Sequence, residues 1–126
     1  MIATMTPSRQ EGTWHYCRTD DVSVAAAVLS VAFAVIKEER GFTLILREET
    51  ASEFSFKTAM PMGLITLEVF SALDGFGLTA AFAPALAEAH IACNVIAAHD
   101  HDHLFVPIDR VEDAMAILLR IQQGDS

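Results

Sequence analysis

From Val31 onward the apolar and polar positions fall into blocks of strand and helix length. Val31 to Lys37 and Phe42 to Leu46 are apolar, branched runs on either side of the charged stretch Glu38-Glu39-Arg40-Gly41. That arrangement predicts a β-hairpin whose turn ends on Gly41, a residue free to take positive φ. Glu48 to Phe54 has room for one or two helical turns, and Lys57 to Gly63, with Pro61 and Gly63, reads as a linker. Leu64 to Phe70 is the next strand, with Thr66 and Glu68 on the alternate face. Leu78 to His90 is Ala-rich, and Leu78, Phe82, Ala85, Leu86 and Ala89 recur at helical spacing. Ile91 to Ala98 and Leu104 to Pro107 are two more strands. Asp109 to Gln122 is a helix, with Asp109 as its cap and Glu112 completing a capping-box pattern.

The first thirty residues are less regular. Met1 to Gly12 is polar and is expected to be a flexible N-terminus without the apolar segment of a signal peptide. Thr13 to Arg18 is β-prone, and Thr19-Asp20-Asp21 is a turn or helix cap. Val22 to Leu29 stays open between helix and strand, because its alanines favour one and its valines the other. The longest apolar run, Val22 to Ile36, is shorter than the roughly 20 residues of a membrane span.

The order is therefore strand, uncertain element, hairpin and short helix, followed by strand, helix, hairpin and helix. Both halves share a β-x-β-β-α plan, the first at 13–58 and the second at 64–122. The fold class is α+β: two ferredoxin-like βαββα units in tandem, with antiparallel sheets and helices on one face. The opposite sheet face needs cover, so the halves are expected to pack together, the protein to form a homodimer, or both.

Charge narrows the partners. Seventeen acidic and eight basic residues give a formal charge of -9, which excludes nucleic acid and anionic membrane as favoured surfaces. Cys17 and Cys93 form no CxxC pair and read as small buried hydrophobes. A soluble, cytoplasmic chain without cofactor is expected.

Several segments carry a family resemblance: Ile65-Thr66-Leu67-Glu68-Val69, Leu73-Asp74-Gly75-Phe76-Gly77-Leu78-Thr79-Ala80-Ala81, Ile91-Ala92-Cys93-Asn94-Val95-Ile96-Ala97 and His101-Asp102-His103-Leu104-Phe105-Val106-Pro107. With them the chain resembles a family of small bacterial ACT-domain proteins of unknown function that carry two ACT-like halves. It also resembles the ACT regulatory domains of aspartate kinases. The resemblance implies a regulatory protein, not an enzyme, with a small-molecule ligand, an amino acid, held between the glycine loop and a strand of a neighbouring ACT unit.

The residues suit that implication. A loop leading into a helix N-terminus presents free N–H groups and a positive dipole end to a carboxylate. Gly75 and Gly77 allow close approach, and Asp74 could take an ammonium group. Asn94 offers both a donor and an acceptor on an otherwise apolar strand. The expected ligand site is Asp74, Gly75, Gly77, Leu78 and Thr79 with Asn94, Val95 and Ile96. The competing reading is that the glycines only turn the chain and Asn94 only bonds backbone, which leaves a structural oligomerisation module without a ligand. Pro84 falls inside the predicted helix, so that helix either starts late or kinks.

His99, His101 and His103 would share one face of a strand, a spacing that can bind zinc or nickel. The segment must turn, however, which breaks the alternation, and the structural reading is favoured: no metal ligands are assigned. No nucleophile motif or phosphate loop is present, and no catalytic residue is assigned.

Overall fold

The structure, a computed structural model, describes residues 6–68 and 78–123, with side chains from Phe82 onward in the second stretch. The elements run β1 (Thr6–Thr19), α1 (Val22–Val28), β2 (Ala34–Lys37), β3 (Phe42–Arg47), α2 (Glu48–Glu53), β4 (Met62–Glu68), α3 (Leu78–Glu88), β5 (Asn94–Ala97), β6 (Asp102–Pro107), a 3-10 turn at Ile108–Arg110 and α4 (Val111–Gln122). They form two compact units, Gly12–Pro61 and Met62–Ser126, the latter with Met1–Glu11. Each unit reads βαββα. The hydrogen-bonded strand order is β1-β3-β2 in the first and β4-β6-β5 in the second, so the same plan occurs twice. The registered pairings β1/β3, β2/β3, β4/β6 and β5/β6 are all antiparallel.

In the unit Gly12–Pro61, the segment open between helix and strand is helix α1. Asp21 settles it: its carboxylate accepts a 2.8 Å hydrogen bond from the Ser23 N–H, which caps the first turn of an alanine-rich run. The hairpin follows, with Lys37 opposite Phe42, Glu38 N–H donating to Gly41 O, and Gly41 at φ +77. Cys17, Ala25, Val28, Leu44, Leu46 and Ala51 make the core. Both helices are short, seven and six residues, against eleven and twelve for α3 and α4, so this unit has the reduced core of the pair.

In the other unit, Ile65, Leu67, Leu104 and Val106 from the sheet pack with Phe82, Leu86, Val111, Ala114 and Leu118 from the helices. Alternation along each strand makes this one sheet face. Residues at the alternate positions of these strands are buried as well. Ile45 in the first unit and Leu64 and Phe105 in the second are at most 2% exposed.

Four expectations are corrected. Residues 6–12 are not a flexible leader but the start of the 14-residue strand β1. This stretch lacks the apolar alternation by which a hydropathy pattern reports a strand. Met62 and Gly63 belong to β4, not to a linker. The capping box at Asp109 and Glu112 does not form: Asp109 lies in the 3-10 turn, and Arg110 occupies the N-cap of α4 with no side-chain cap bond. Finally, Ile91 to Cys93 precede β5 and lie outside it, because α3 ends at Glu88, His90 follows it at φ +59 and the chain must still turn. Among the described residues no helix is long and apolar enough to cross a membrane.

Candidate functional site

The expected ligand residues divide into three groups. Asp74, Gly75 and Gly77 lie outside the described residues. Leu78 and Thr79 are the first described residues of α3. Asn94, Val95 and Ile96 are in β5, the last strand of its unit's order.

Register separates the last three. Asn94 pairs with Phe105 and Ile96 with His103, while Val95 pairs with Leu104 of the core. Asn94 and Ile96 therefore point to the helix-free face and Val95 to the other. Asn94 is exposed, and among the described residues its amide makes only a long 4.0 Å contact to Met62 Sδ. The amide was expected on a buried strand needing a partner. It sits instead on the outermost strand, where water can satisfy it.

Strand direction separates them again. Arg110, just beyond β6, donates to Ala89 O at 3.2 Å and His90 O at 3.5 Å. The C-terminal end of α3 is thus tied to the Met62, Pro107 and Asn94 end of the sheet. Eleven helical residues span about 16 Å. The first turn of α3 points toward the opposite end, where β4 ends on Glu68 and the β5–β6 turn lies. Asn94 to Ala97 is about 10 Å of strand, so Asn94 is the far residue of the set.

The polar group at the Glu68 end of the sheet is the histidine turn between β5 and β6, for which a structural role is expected. Ala98 N–H donates to His101 O at 3.0 Å and closes the turn. His99 is thrown outward and bonds Asp100 at 2.9 Å; that bond and the neighbouring imidazole hold the Asp100 carboxyl below its usual range. His101 and His103 stay side by side, with ring centroids 6.3 Å apart and nearly perpendicular. His103 Nδ1 lies 3.0 Å from Thr66 Oγ1 on β4. Burial lowers the His103 pKa, and the His101 charge lowers it further, against a smaller opposing effect from Asp102. His101 Nδ1 is buried and has no hydrogen-bond partner among the described residues. Thr66 and Asp100 are side-chain partners here. Their signal in the sequence was the phase of Thr66 and His103, which shared register makes neighbours.

Among the described residues no group of three or more His, Cys, Asp or Glu side chains could hold a metal ion. Burial pushes the Cys93 thiol up to about 11 and raises that of Cys17, and both cysteines are free. Neither has the lowered pKa of a nucleophile.

The family comparison agrees with the duplicated topology. One profile described as ACT domain matches residues 60–120, and a second with the same description matches residues 1–63. No curated protein matches the sequence. Among solved structures, a Vibrio cholerae protein of unknown function, described as a possible transport protein, is 34% identical, with a TM-score of 0.84 over 96% of this chain and 92% of that one. An Agrobacterium tumefaciens protein aligns at 13% identity and TM-score 0.65, covering 94% and 89%. A structure of aspartokinase alpha and beta subunits aligns at 14% identity and TM-score 0.62, covering 90% and 95%. The last two share the fold.

Proposed function

The chain belongs to the ACT-domain family, and on that footing we propose that it is a regulatory protein, without a catalytic site of its own, that binds an amino acid in its second unit. ACT domains are commonly regulatory modules that bind small molecules, and they often oligomerise.

The observation that carries the reading is the buried Nδ1 of His101. A buried polar atom left unpaired costs about 1–3 kcal/mol. A ligand group arriving from the helix-start end would remove that cost. In this reading the loop N–H groups and the first turn of α3, from Leu78 and Thr79, take the carboxylate, and Asp74 takes the ammonium. Gly75 and Gly77 allow the approach. His101 supplies a further polar contact. Ile96 shares the helix-free face with His103, Val95 contributes backbone alone, and Asn94 lies at the far margin. A homodimer would form along β5, the outer strand, and a ligand bound there would stabilise it by mass action, about 2.7 kcal/mol at a hundredfold excess over Kd.

Isothermal titration of the full chain with the twenty amino acids tests this. Saturable heat with one chemical class is expected, weakened by His101→Ala more than by Asn94→Ala. No heat at millimolar ligand removes the site and leaves the oligomerisation module.

A further inference from the structure

The unit Gly12–Pro61 holds a cation that its own residues do not neutralise. Arg47 ends β3 directly opposite Trp14 of β1. Its guanidinium carbon lies 5.3 Å from the Trp14 ring centroid, the distance of a cation–π contact. Phe33 meets the same indole edge-on, at 5.8 Å and 75°. Trp14 is 7% exposed while Arg47 is exposed, so the indole forms a floor and the guanidinium lies over it at the surface.

Gly12 fixes the other side. Its φ is +102, a conformation that other residues rarely adopt. A Cβ there would lie 3.3 Å from both Cζ and Nε of Arg47 and 3.4 Å from Trp14 Nε1. The Nε–Cζ edge therefore fits into the space left by the missing side chain. Two contacts hold a side chain that would otherwise keep most of its rotamer freedom.

The guanidinium makes no ion pair and no hydrogen bond among the described residues. This occurs in a chain with seventeen acidic residues. The next residue, Glu48, turns to the opposite face and engages His15 at 3.0 Å. Arg18 and Arg110, by contrast, are paired with Asp20 and Asp113.

We propose that Arg47, held by Trp14 and Gly12, is a second binding site, in the first ACT-like half, for the carboxylate of a small organic acid. An immobilised guanidinium fork matches a planar carboxylate with two parallel N–H···O bonds, and its orientation is set before the ligand arrives. Trp14 and Phe33 give the site an apolar flank. The site is separate from the proposed amino-acid site: it needs neither an ammonium group nor His101.

The chain contains one tryptophan, so its emission reports on this place alone. Benzoate, succinate and inorganic phosphate are titrated into the full chain at constant ionic strength, with chloride as control. Saturable change with benzoate or succinate is expected. Arg47→Lys, which keeps the charge and loses the fork, weakens it about tenfold. Arg47→Met abolishes it, and Gly12→Ala, which fills the cradle, weakens it too. Asn94→Ala and His101→Ala leave it unchanged. No saturation with either carboxylate, saturation by phosphate alone, or an equal response in Arg47→Met overturns the proposal. Because Arg47 is exposed, thermal melts of its variants should match the parent and show that lost response is not lost fold.

Discussion

Thr66 on β4 and His103 on β6 face each other across the sheet, with Oγ1 and Nδ1 3.0 Å apart. The contact lies on the helix-free face, and Thr66 is only 7% exposed. Burial, and then the neighbouring His101, disfavour the charged imidazole, so the folded-state pKa of His103 is below its ordinary value of 6.5. The unfolded chain therefore takes up this proton first as pH falls. The contribution of His103 to stability is fully present above 6.5 and is lost as the pH drops from there through the folded-state pKa. Chemical denaturation between pH 8 and 5 should show stability declining with acid, and the decline should be shallower in His103→Gln. Equal slopes would contradict the assignment. At pH 8, Thr66→Val should cost about 1 kcal/mol by removing the hydrogen bond.

Arg110 joins two parts of the second unit that sequence order separates. Its guanidinium reaches Asp113 at 3.0 Å and the carbonyls of Ala89 and His90 at the end of α3. Those carbonyls are among the unpaired acceptors at a helix C-terminus, and His90 is held at φ +59. Arg110→Ala should destabilise by about 1–2 kcal/mol in urea, with most of the loss retained in Arg110→Met, which keeps the stem but not the donors. A loss under about 0.3 kcal/mol would mean that water replaces the guanidinium without penalty.

The elements legible in the sequence were those whose pattern their burial enforces. The hairpin around Gly41, α3 and α4 carry apolar runs at strand or helix spacing, and β4 is a near-continuous apolar run buried on both faces, so hydropathy alone locates them. The start of β1 was not legible, since Thr6 to Gly12 carry almost no apolar signal. The capping box at Asp109 failed because local motif chemistry competes with a tertiary demand. Arg110 must reach the end of α3, and a 3-10 turn puts it there. For the site, residue types near the glycine loop suggested a ligand, but not which of them converge. Asn94 looked important because it is polar on an apolar strand; only register and strand direction show it at the far end, with His101 and His103 nearer.

Cys93 gives a chemical readout of packing in the second unit. It lies against the core, and burial pushes its thiol up to about 11. Thiolate is the reactive form, so at pH 8 the folded protein should react with a disulfide reagent far more slowly than the unfolded chain. Cys17, buried and with a raised pKa, should behave likewise. One thiol reacting at the unfolded rate would show that its surroundings open easily.

His15 is 2% exposed, and its Nε2 lies 3.0 Å from the Glu48 carboxylate at the start of α2. Glu48 is half-exposed, so the pair has one buried and one wet end. Removing the wet end leaves the buried nitrogen needing another partner. Glu48→Ala should therefore destabilise by about 1–3 kcal/mol, more than truncating an exposed glutamate elsewhere. Glu48→Gln, which still offers an oxygen, should recover much of that. If alanine and glutamine cost the same, the charge and not the hydrogen bond matters.

Pro84 is the seventh residue of the described part of α3, and it is exposed. The helix does not begin late to accommodate it. Pro84 has no N–H for the Ala80 carbonyl, and its ring crowds the preceding turn. Replacing it with alanine gains up to about 3 kcal/mol of helix propensity. It gives back about 0.4–1 kcal/mol through a freer unfolded chain. Pro84→Ala should thus raise stability by about 1–2 kcal/mol, seen as a higher midpoint in urea. A lower midpoint would mean that the proline shapes the first turn of α3 in a way the rest of the unit depends on. In that case the substitution should also change amino-acid affinity, because that turn is where the carboxylate is proposed to bind.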